Sequence, residues 1–349
     1  MKVLIDTSPL SNANAIRGVG VYTRLLTKYL EQLDSLQVGA AGAEDQKQKF
    51  EPDIVHYPFF DLYFATLPVV RSKPTVVTVH DVIPLRYPKF YPPGVKGKIK
   101  LQKQILALKT CEAVITDSQS SKQDIIEFLG IAAEKIHPIY LAANPELEAQ
   151  GTTTTQRIRN KYQLPKHYLL YVGDINYNKN IPQLIKSLKY VPETLELVLL
   201  GKNFKQQDIP EWKWIETQIA MSDVADRVHF LNQVTGDANQ ELAAIYSGAE
   251  IYIQPSLYEG FGLPVLEAMQ CKTLVIAAEN SSLLEVGGDH VIYTGTDAEQ
   301  IGQTIGQVMQ WPQAKKANKI NQAYEWSQTF SWEQTAEETL RVYQSVLAE

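Results

Sequence analysis

The stretch Pro255-Ser-Leu-Tyr-Glu259-Gly-Phe-Gly-Leu-Pro264-Val-Leu-Glu267-Ala-Met269 decides the fold of its half of the chain. An apolar run of strand-forming residues, 251–254, precedes it and predicts a buried strand. After the glycines, Pro264 stands where a first helical turn favours proline, and good helix formers follow it. The stretch is therefore predicted to be a strand, a glycine-containing turn and a helix.

This turn has the properties of an anion site. Gly260 and Gly262 allow the backbone to approach a ligand closely, and the free N–H groups at the helix start favour a phosphate. Glu259 and Glu267 stand on either side and are suited to accept hydrogen bonds from hydroxyl groups next to that phosphate. An ordinary βα turn, with a solvated Glu259 and with Glu267 on an exposed helix face, explains the same residues, so both interpretations stay open.

The same stretch resembles a known signature. Glu259-Gly-Phe-Gly-Leu-Pro-Val-Leu-Glu267 is similar to the E-x7-E signature of retaining GT-B glycosyltransferases of family 4, and the similarity extends from Pro255 to Met269. The resemblance implies an α/β protein of the GT-B fold, in which two Rossmann-like domains face each other across a cleft. It also implies that Glu259 holds hydroxyl groups of a donor sugar and that Glu267 holds the ribose hydroxyls.

Length and composition predict an ordinary two-domain protein. The chain has 349 residues, 44% hydrophobic and 21% charged, and its net charge of −6 gives no reason to expect nucleic acid as a partner. Cys111 and Cys271 lie far apart without metal-ligand spacing, which indicates neither a disulfide framework nor a zinc site. The chain begins with a strand pattern, and no apolar run approaches the ~18 residues that span a bilayer. We therefore expect a cytoplasmic protein.

Alternating strand and helix patterns predict a Rossmann-like domain over residues 1–145, and the resemblance implies that it is the acceptor-side domain. Near its start, a short strand leads to the glycine loop Arg17-Gly-Val-Gly20, which opens a helix over 21–30. This GxG lacks the third glycine of a dinucleotide fingerprint, so it does not support NAD binding. The resemblance implies that Gly18 and Gly20 lie at the donor, with the Gly18 amide on a phosphate; a glycine helix cap is the alternative.

One histidine follows a predicted strand of this domain. Thr75-Val-Val-Thr-Val79-His80-Asp81 predicts a strand with polar residues at its carboxyl end, where open α/β sheets bind ligands. A lone histidine is often structural, but Thr78-Val-His80-Asp81 resembles the family pattern, which implies that His80 lies near the transferred sugar. His56, on the preceding predicted strand, and Asp81 can instead orient their loops.

Residues 95–109 place five lysines among aliphatic residues. They can form a basic amphipathic helix that touches anionic lipid, which would put a cytoplasmic protein on the inner face of the membrane. The alternative is a helix that buries its aliphatic side and leaves the lysines in water.

A second Rossmann-like domain is predicted over residues 167–329. A polar, threonine-rich linker, 146–166, precedes it and can lead into a short helix around 156–162. The resemblance implies that a final helix within 330–349 packs back on the first domain. In the loop Gly173-Asp-Ile-Asn-Tyr-Asn-Lys179, the lysine stands before a helix, where it can add charge to a phosphate site or simply be solvated.

The resemblance implies that Lys179 clamps the donor diphosphate. The loop also departs from the family pattern, because Asp174 and Asn178 stand where basic residues are common. The clamp can therefore rest on one cation, or Arg17 or Lys202 can supply the missing charge.

These observations lead to one functional hypothesis. The resemblance implies a retaining hexosyltransferase of polysaccharide biosynthesis that moves mannose or glucose from a UDP- or GDP-sugar to a glycan or lipid-linked acceptor, without a metal or cofactor. The implied catalytic residues are His80, Lys179 and Glu259, and the implied donor-binding residues are Gly18, Gly20, Gly173, Lys179, Gly260, Phe261, Gly262, Leu263 and Glu267. A nucleotide-sugar epimerase and a catalytically degenerate nucleotide-binding module remain as alternatives, because fold does not fix function.

Overall fold

The computed structural model describes residues 1–11, 15, 18–41, 50–234 and 238–348. Within it the chain forms two compact units. The first unit joins Met1–Leu141 to Ser331–Glu349, and the second is Ala142–Phe330. None of the helices in the described ranges combines the length and the hydropathy that crossing a membrane requires.

The first unit is built on one parallel sheet. Its strands are β1 (Lys2–Asp6), β2 (Gln37–Ala41), β3 (Ile54–Tyr57), β4 (Thr75–Thr78), β5 (Ala113–Thr116) and β6 (Ile136–Pro138). Its helices before residue 142 are α1 (Gly18–Leu30), α2 (Ile83–Arg86), α3 (Gly94–Lys109) and α4 (Gln119–Asp124), which continues as a π-helical segment, Ile125–Leu129. The six strands lie in the order β2-β1-β3-β4-β5-β6. The strands β4 and β5 are buried at every position, as expected for a parallel sheet covered on both faces.

The second unit repeats this architecture. Its strands are β7 (Tyr168–Val172), β8 (Glu196–Leu200), β9 (Val228–Leu231), β10 (Ile251–Gln254), β11 (Val275–Ala278) and β12 (Ile292–Thr294). Its helices are α5 (Thr152–Tyr162), α6 (Ile181–Ser187), α7 (Pro210–Ser222), α8 (Asn239–Gly248), α9 (Leu263–Gln270), α10 (Ser281–Gly287), α11 (Ala298–Met309) and α12 (Gln313–Ser327). The parallel order is β12-β11-β10-β7-β8-β9, so the order reverses between β7 and β10. The loops after these two strands flank the crevice where open α/β sheets bind ligands.

The last helix, α13 (Trp332–Ala348), belongs to the first unit. The hydroxyl group of Tyr343 lies 2.6 Å from Nδ1 of the buried His56, and Thr335 donates a hydrogen bond to the Tyr140 carbonyl at 2.8 Å. The buried ring of Trp332 packs near Tyr22 of α1, with 6.1 Å between ring centroids. The end of the chain is therefore part of the core built by its beginning.

The structure differs from the sequence-based predictions at three places. Strand β2 follows α1 at a place where the sequence patterns predicted no strand. Helix α1 begins at Gly18, so both glycines of the predicted loop lie in its first turn. Helix α5 begins at Thr152, earlier than the short helix predicted around 156–162 within the linker, and it buries Ile158.

Candidate functional site

A buried ion pair joins the two loops at the reversal point of the second sheet. Lys179 ends a single 3-10 turn after β7, and Glu259 lies in the loop after β10. The Lys179 ammonium lies 2.8 Å and 2.7 Å from the two carboxylate oxygens of Glu259. The side chains are only 20% and 7% exposed, so the pair lies largely out of water. The structure thus brings together two residues that were predicted separately, and it pairs them with each other.

Two more side chains hold the Glu259 carboxylate in place. Nε2 of Gln254 and the hydroxyl of Ser256 each donate to the same oxygen, Oε1, at 2.6 Å. The Tyr252 hydroxyl donates in turn to the Gln254 carbonyl, and burial raises the pKa of Tyr252 well above its ordinary value, so it stays protonated. Sequence reasoning did not single out these three residues, although Gln254, a polar residue at the end of an apolar strand, was the available signal.

Asparagine side chains fasten one loop to the other. Asn180, at a positive φ of 59°, donates from its amide to the Pro255 carbonyl at 3.0 Å and to the Thr296 carbonyl at 2.7 Å. Asn178 is buried, and its side-chain amide donates to the Tyr258 carbonyl at 2.9 Å. The backbone carbonyl of Asn178 accepts from the Leu257 amide at 2.7 Å. Asn178, which replaces a basic residue of the family pattern, therefore has a structural role.

Glycines allow the loops after β7 and β8 to touch. A Cβ on Gly201 would lie 2.1 Å from the Gly173 carbonyl, and one on Gly173 would lie 2.6 Å from the Tyr171 hydroxyl. Asp174 accepts a hydrogen bond from the Asn203 side chain, so it also braces these loops.

Two residues were suggested to supply the positive charge that the loop lacks at Asp174 and Asn178. Lys202 is exposed beside Gly201, and Arg17 lies outside the described residues.

The predicted anion site lies at the start of α9. Gly262 precedes the helix with a φ of 109°, a conformation that favours glycine, and Leu263 is the first helical residue. The hydroxyl of Ser282 donates to the carbonyls of Glu259 and Phe261 at 2.9 Å and 2.8 Å, which fixes the path of the turn. The Phe261 side chain is buried, so only its backbone can contact a ligand at this turn.

Glu267 lies one turn along α9 and is partly buried. The Tyr246 hydroxyl donates to its Oε2 at 2.9 Å. Burial raises the pKa of the Glu267 carboxyl, and the hydrogen bond from Tyr246 opposes that rise. The Tyr246 ring packs on that of Tyr252 with centroids 5.6 Å apart, so adjacent aromatic residues support both carboxylates of the predicted signature.

In the first unit, His80 is held by a carboxylate that sequence reasoning missed. Its Nδ1 lies 2.8 Å from Oδ2 of the buried Asp117, and its Nε2 has no hydrogen-bond partner among the described residues. Burial lowers the pKa of the imidazole, but the carboxylates of Asp117 and Asp81 raise it, and the net direction is upward from 6.5. Asp117 follows β5 just as His80 follows β4. Its position at the carboxyl end of a strand, where open α/β sheets bind ligands, was therefore the signal that could have predicted it.

A buried polar chain supports this dyad from α1 and α13. The Tyr22 hydroxyl lies 2.9 Å from Oγ1 of Thr78, which lies 2.8 Å from Nε2 of His56, and His56 contacts Tyr343. Burial lowers the pKa of His56 to about 3, so this histidine is neutral and structural. The Tyr22 ring also meets the His80 ring edge-on, with centroids 4.8 Å apart.

The predicted site residues therefore fall into two groups, one in each unit. The first unit holds Gly18, Gly20 and His80. The second holds Gly173, Lys179, Gly260, Phe261, Gly262 and Leu263 with the carboxylates Glu259 and Glu267. In the described ranges, no group of three or more His, Cys, Asp or Glu side chains is arranged to hold a metal ion.

Comparison with known proteins gives matches over most of the chain. Residues 152–326 match the family model described as glycosyl transferases group 1, and residues 38–147 match the one described as glycosyltransferase family 4. The chain is 28% identical over 284 residues to the O-antigen chain mannosyltransferase B of Escherichia coli, and the match covers 78% of this chain and 71% of that relative.

Solved structures share the fold. Sucrose-phosphate synthase from Thermosynechococcus elongatus aligns with a TM-score of 0.78 at 19% identity, over 100% of this chain and 99% of that one. The Anabaena protein HepE in complex with UDP-glucose aligns with a TM-score of 0.74 at 18% identity, over 99% of this chain and 100% of the other. The fold is thus the two-domain α/β fold of GT-B type that the sequence predicted.

Proposed function

The chain belongs to the glycosyl transferases group 1 family, and on that premise we propose that it is a retaining hexosyltransferase of polysaccharide biosynthesis. It moves mannose or glucose from a UDP- or GDP-sugar to a hydroxyl group of a glycan or lipid-linked acceptor. The similarity to a mannosyltransferase and to a protein solved with UDP-glucose supports this range of donors.

The buried pair of Lys179 and Glu259 beside the start of α9 is the observation that carries the proposal. The positive end of the α9 dipole and the ammonium of Lys179 supply positive charge for a donor diphosphate. A diphosphate bound there would share the ammonium with Glu259, whose carboxylate is held by Gln254 and Ser256 and can accept hydrogen bonds from sugar hydroxyls. Glu267, on the same helix, is the acceptor for the ribose hydroxyls.

Fixed positive groups also explain how the reaction proceeds without a metal. Lys179 and the helix start stabilise the negative charge that grows on the leaving diphosphate. The acceptor oxygen attacks the anomeric carbon on the face that the phosphate leaves, the bond from carbon to phosphate oxygen breaks, and that phosphate oxygen takes the acceptor's proton. Because this step needs no side-chain nucleophile, the two glutamates do not act as a glycosidase pair.

Nucleotide binding tests the proposal most directly. We expect thermal stabilisation of the protein by one family among UDP, GDP, ADP and their sugar conjugates. Replacing Glu267 with alanine removes a hydrogen-bond acceptor for ribose and should weaken that nucleotide about 10-fold, which corresponds to about 1.4 kcal/mol. Glu299→Ala is the matched control, because this residue is exposed on α11 of the same unit.

The result also separates the alternatives. If no nucleotide binds, both the transferase and the degenerate binding module are wrong. If a nucleotide binds and its sugar conjugate is never turned over with any acceptor, the binding module is favoured. Epimerisation of the donor sugar without an acceptor would favour the epimerase, and product with an inverted anomeric configuration would contradict the retaining mechanism.

A second proposal concerns the lysine-rich helix α3. The helix packs on the core through Leu108 and through the partly buried Leu101 and Ile105, while its other large aliphatic side chains face outward. Val95, Ile99 and Leu106 are 78%, 56% and 57% exposed, and their spacing places them on one face of the helix. The five lysines of this segment are also exposed. We propose that this face binds an anionic membrane surface, where a lipid-linked acceptor is found.

Binding to vesicles tests this contact. Each lysine near an anionic surface contributes about 1 kcal/mol, so Lys96→Gln with Lys103→Gln should weaken binding to phosphatidylglycerol vesicles roughly 30-fold. Ile99→Ser should weaken it as well, whereas Lys189→Gln with Lys205→Gln, two exposed lysines of the second unit, should not. Equal binding to neutral phosphatidylcholine vesicles, or an unchanged affinity of the α3 variants, would contradict the proposal.

A further inference from the structure

A cavity of about 410 Å³ opens in the second unit beside the loop that carries Lys179. It lies among the residues that follow β7, the first turns of α6 and α7, and Leu257 of the loop after β10. Its volume falls within the range of small-molecule sites, roughly 300–1,000 Å³. We propose that this cavity is a glycan-binding site that holds a neutral sugar unit of the acceptor or product chain. The proposal rests on the glycosyl transfer proposed above.

Aromatic walls give the cavity its affinity for sugar. Tyr177 and Trp214 meet edge-on, with ring centroids 6.1 Å apart and planes at 77°, and both line the cavity. Trp214 is 37% exposed, so part of its indole faces solvent. Ile181 and Leu257 extend the apolar wall. Such rigid, amphipathic rings pack against the C–H faces of pyranoses while leaving the hydroxyl groups free for polar contacts.

The charges around the cavity favour a neutral ligand. Glu211 and Asp297 both line it, and no lysine, arginine or histidine does so among the described residues. A nucleotide or a sugar phosphate would meet carboxylates without a compensating cation. Asp297 already accepts hydrogen bonds from the Glu299 and Gln300 amides as the N-cap of α11. Glu211 is therefore the carboxylate assigned to the sugar hydroxyls.

The cavity shares its wall with the proposed donor site. Tyr177 begins the short 3-10 turn that ends at Lys179, and the carbonyl of Asn178 in that turn accepts from the Leu257 amide at 2.7 Å. The ion pair of Lys179 with Glu259 therefore sits on the turn that also forms the cavity wall. One unit can thus hold both the donor and a sugar unit of the growing glycan.

Saturation-transfer NMR with mannose, mannobiose and maltose at millimolar concentration tests this site on the full chain. We expect transfer from the protein to at least one of these neutral sugars, and none to mannose 6-phosphate. Trp214→Ala should abolish the signal, and Glu211→Gln should weaken it several-fold. Met221→Ala and Glu216→Gln are the matched controls, because both residues are exposed on α7 away from the cavity and should leave the signal unchanged.

Nucleotide binding measured on the same variants separates this proposal from the proposed function. If Trp214→Ala still binds the nucleotide but loses the sugar signal, the glycan site is supported. If the wild-type protein binds the nucleotide but no neutral sugar, or if the sugar signal survives Trp214→Ala, the glycan site is wrong while the transferase proposal stands. If Trp214→Ala fails to fold, Trp214→Leu provides the same test, because it keeps apolar volume but removes the aromatic face.

Discussion

Lys179→Met is expected to destabilise the second unit and to abolish glycosyl transfer. The substitution leaves the Glu259 carboxylate, whose side chain is 7% exposed, without its cation. Removing one partner of a buried ion pair typically costs about 3–5 kcal/mol. The same substitution removes the only cation that the structure places in contact with the carboxylate at the proposed diphosphate site, within the described residues. Chemical denaturation and a transfer assay with the donor identified by thermal stabilisation measure the two effects.

The double variant Lys179→Met with Glu259→Gln separates these effects. A glutamine is neutral, so it needs no cation and can still pair with Gln254 and Ser256. Stability should therefore recover in large part, whereas transfer should stay absent. If the double variant regains transfer, or if the single variant binds the donor diphosphate as tightly as the wild type, Lys179 has no role in binding the donor. Lys202→Met, at an exposed position after β8, tests whether that lysine adds charge to the same site.

Asp117→Asn is expected to lower transfer about 100-fold while leaving donor binding intact. Asp117 holds Nδ1 of His80 at 2.8 Å, so Nε2 is the ring nitrogen that we propose for contact with the transferred sugar. Asparagine keeps the shape but removes the charge that favours the protonated imidazole. His80→Ala should reduce transfer at least as strongly. Steady-state kinetics with saturating donor measure both variants.

The pH dependence distinguishes this role from a purely structural one. The pKa of His80 is raised in the folded protein, so its protonated form contributes stability that is fully present below pH 6.5 and is lost as pH rises through the raised pKa. In Asp117→Asn this contribution is absent, and the difference in unfolding free energy from the wild type should shrink as pH rises. The alkaline limb of kcat/KM should move to lower pH in the variant. An unmoved limb, with kcat reduced equally at all pH values, would contradict the positioning role.

The sequence alone predicted the elements around the proposed donor site because their signals are local. Gly262, with its positive φ, and Pro264, in a first helical turn, fit a turn that leads into a helix, and the structure has α9 there, after β10. By contrast, β2 was missed because its residues, Gln37–Ala41, carry little hydrophobic alternation and become a strand only by pairing with β1. Helix α5 begins four residues before the short helix predicted around 156–162, because its threonine-rich start resembles a linker in sequence.

The chemistry of individual side chains depended on contacts between distant parts of the chain. The sequence placed His80, Lys179, Glu259 and Glu267 at strand ends and a helix start, where the geometry of a parallel sheet gathers functional groups. Only the tertiary structure paired Lys179 with Glu259, 80 residues apart, and His80 with Asp117, 37 residues apart. Residue type and local spacing determine which backbone elements form, whereas the charge and protonation of a buried group depend on the partners that the fold brings to it.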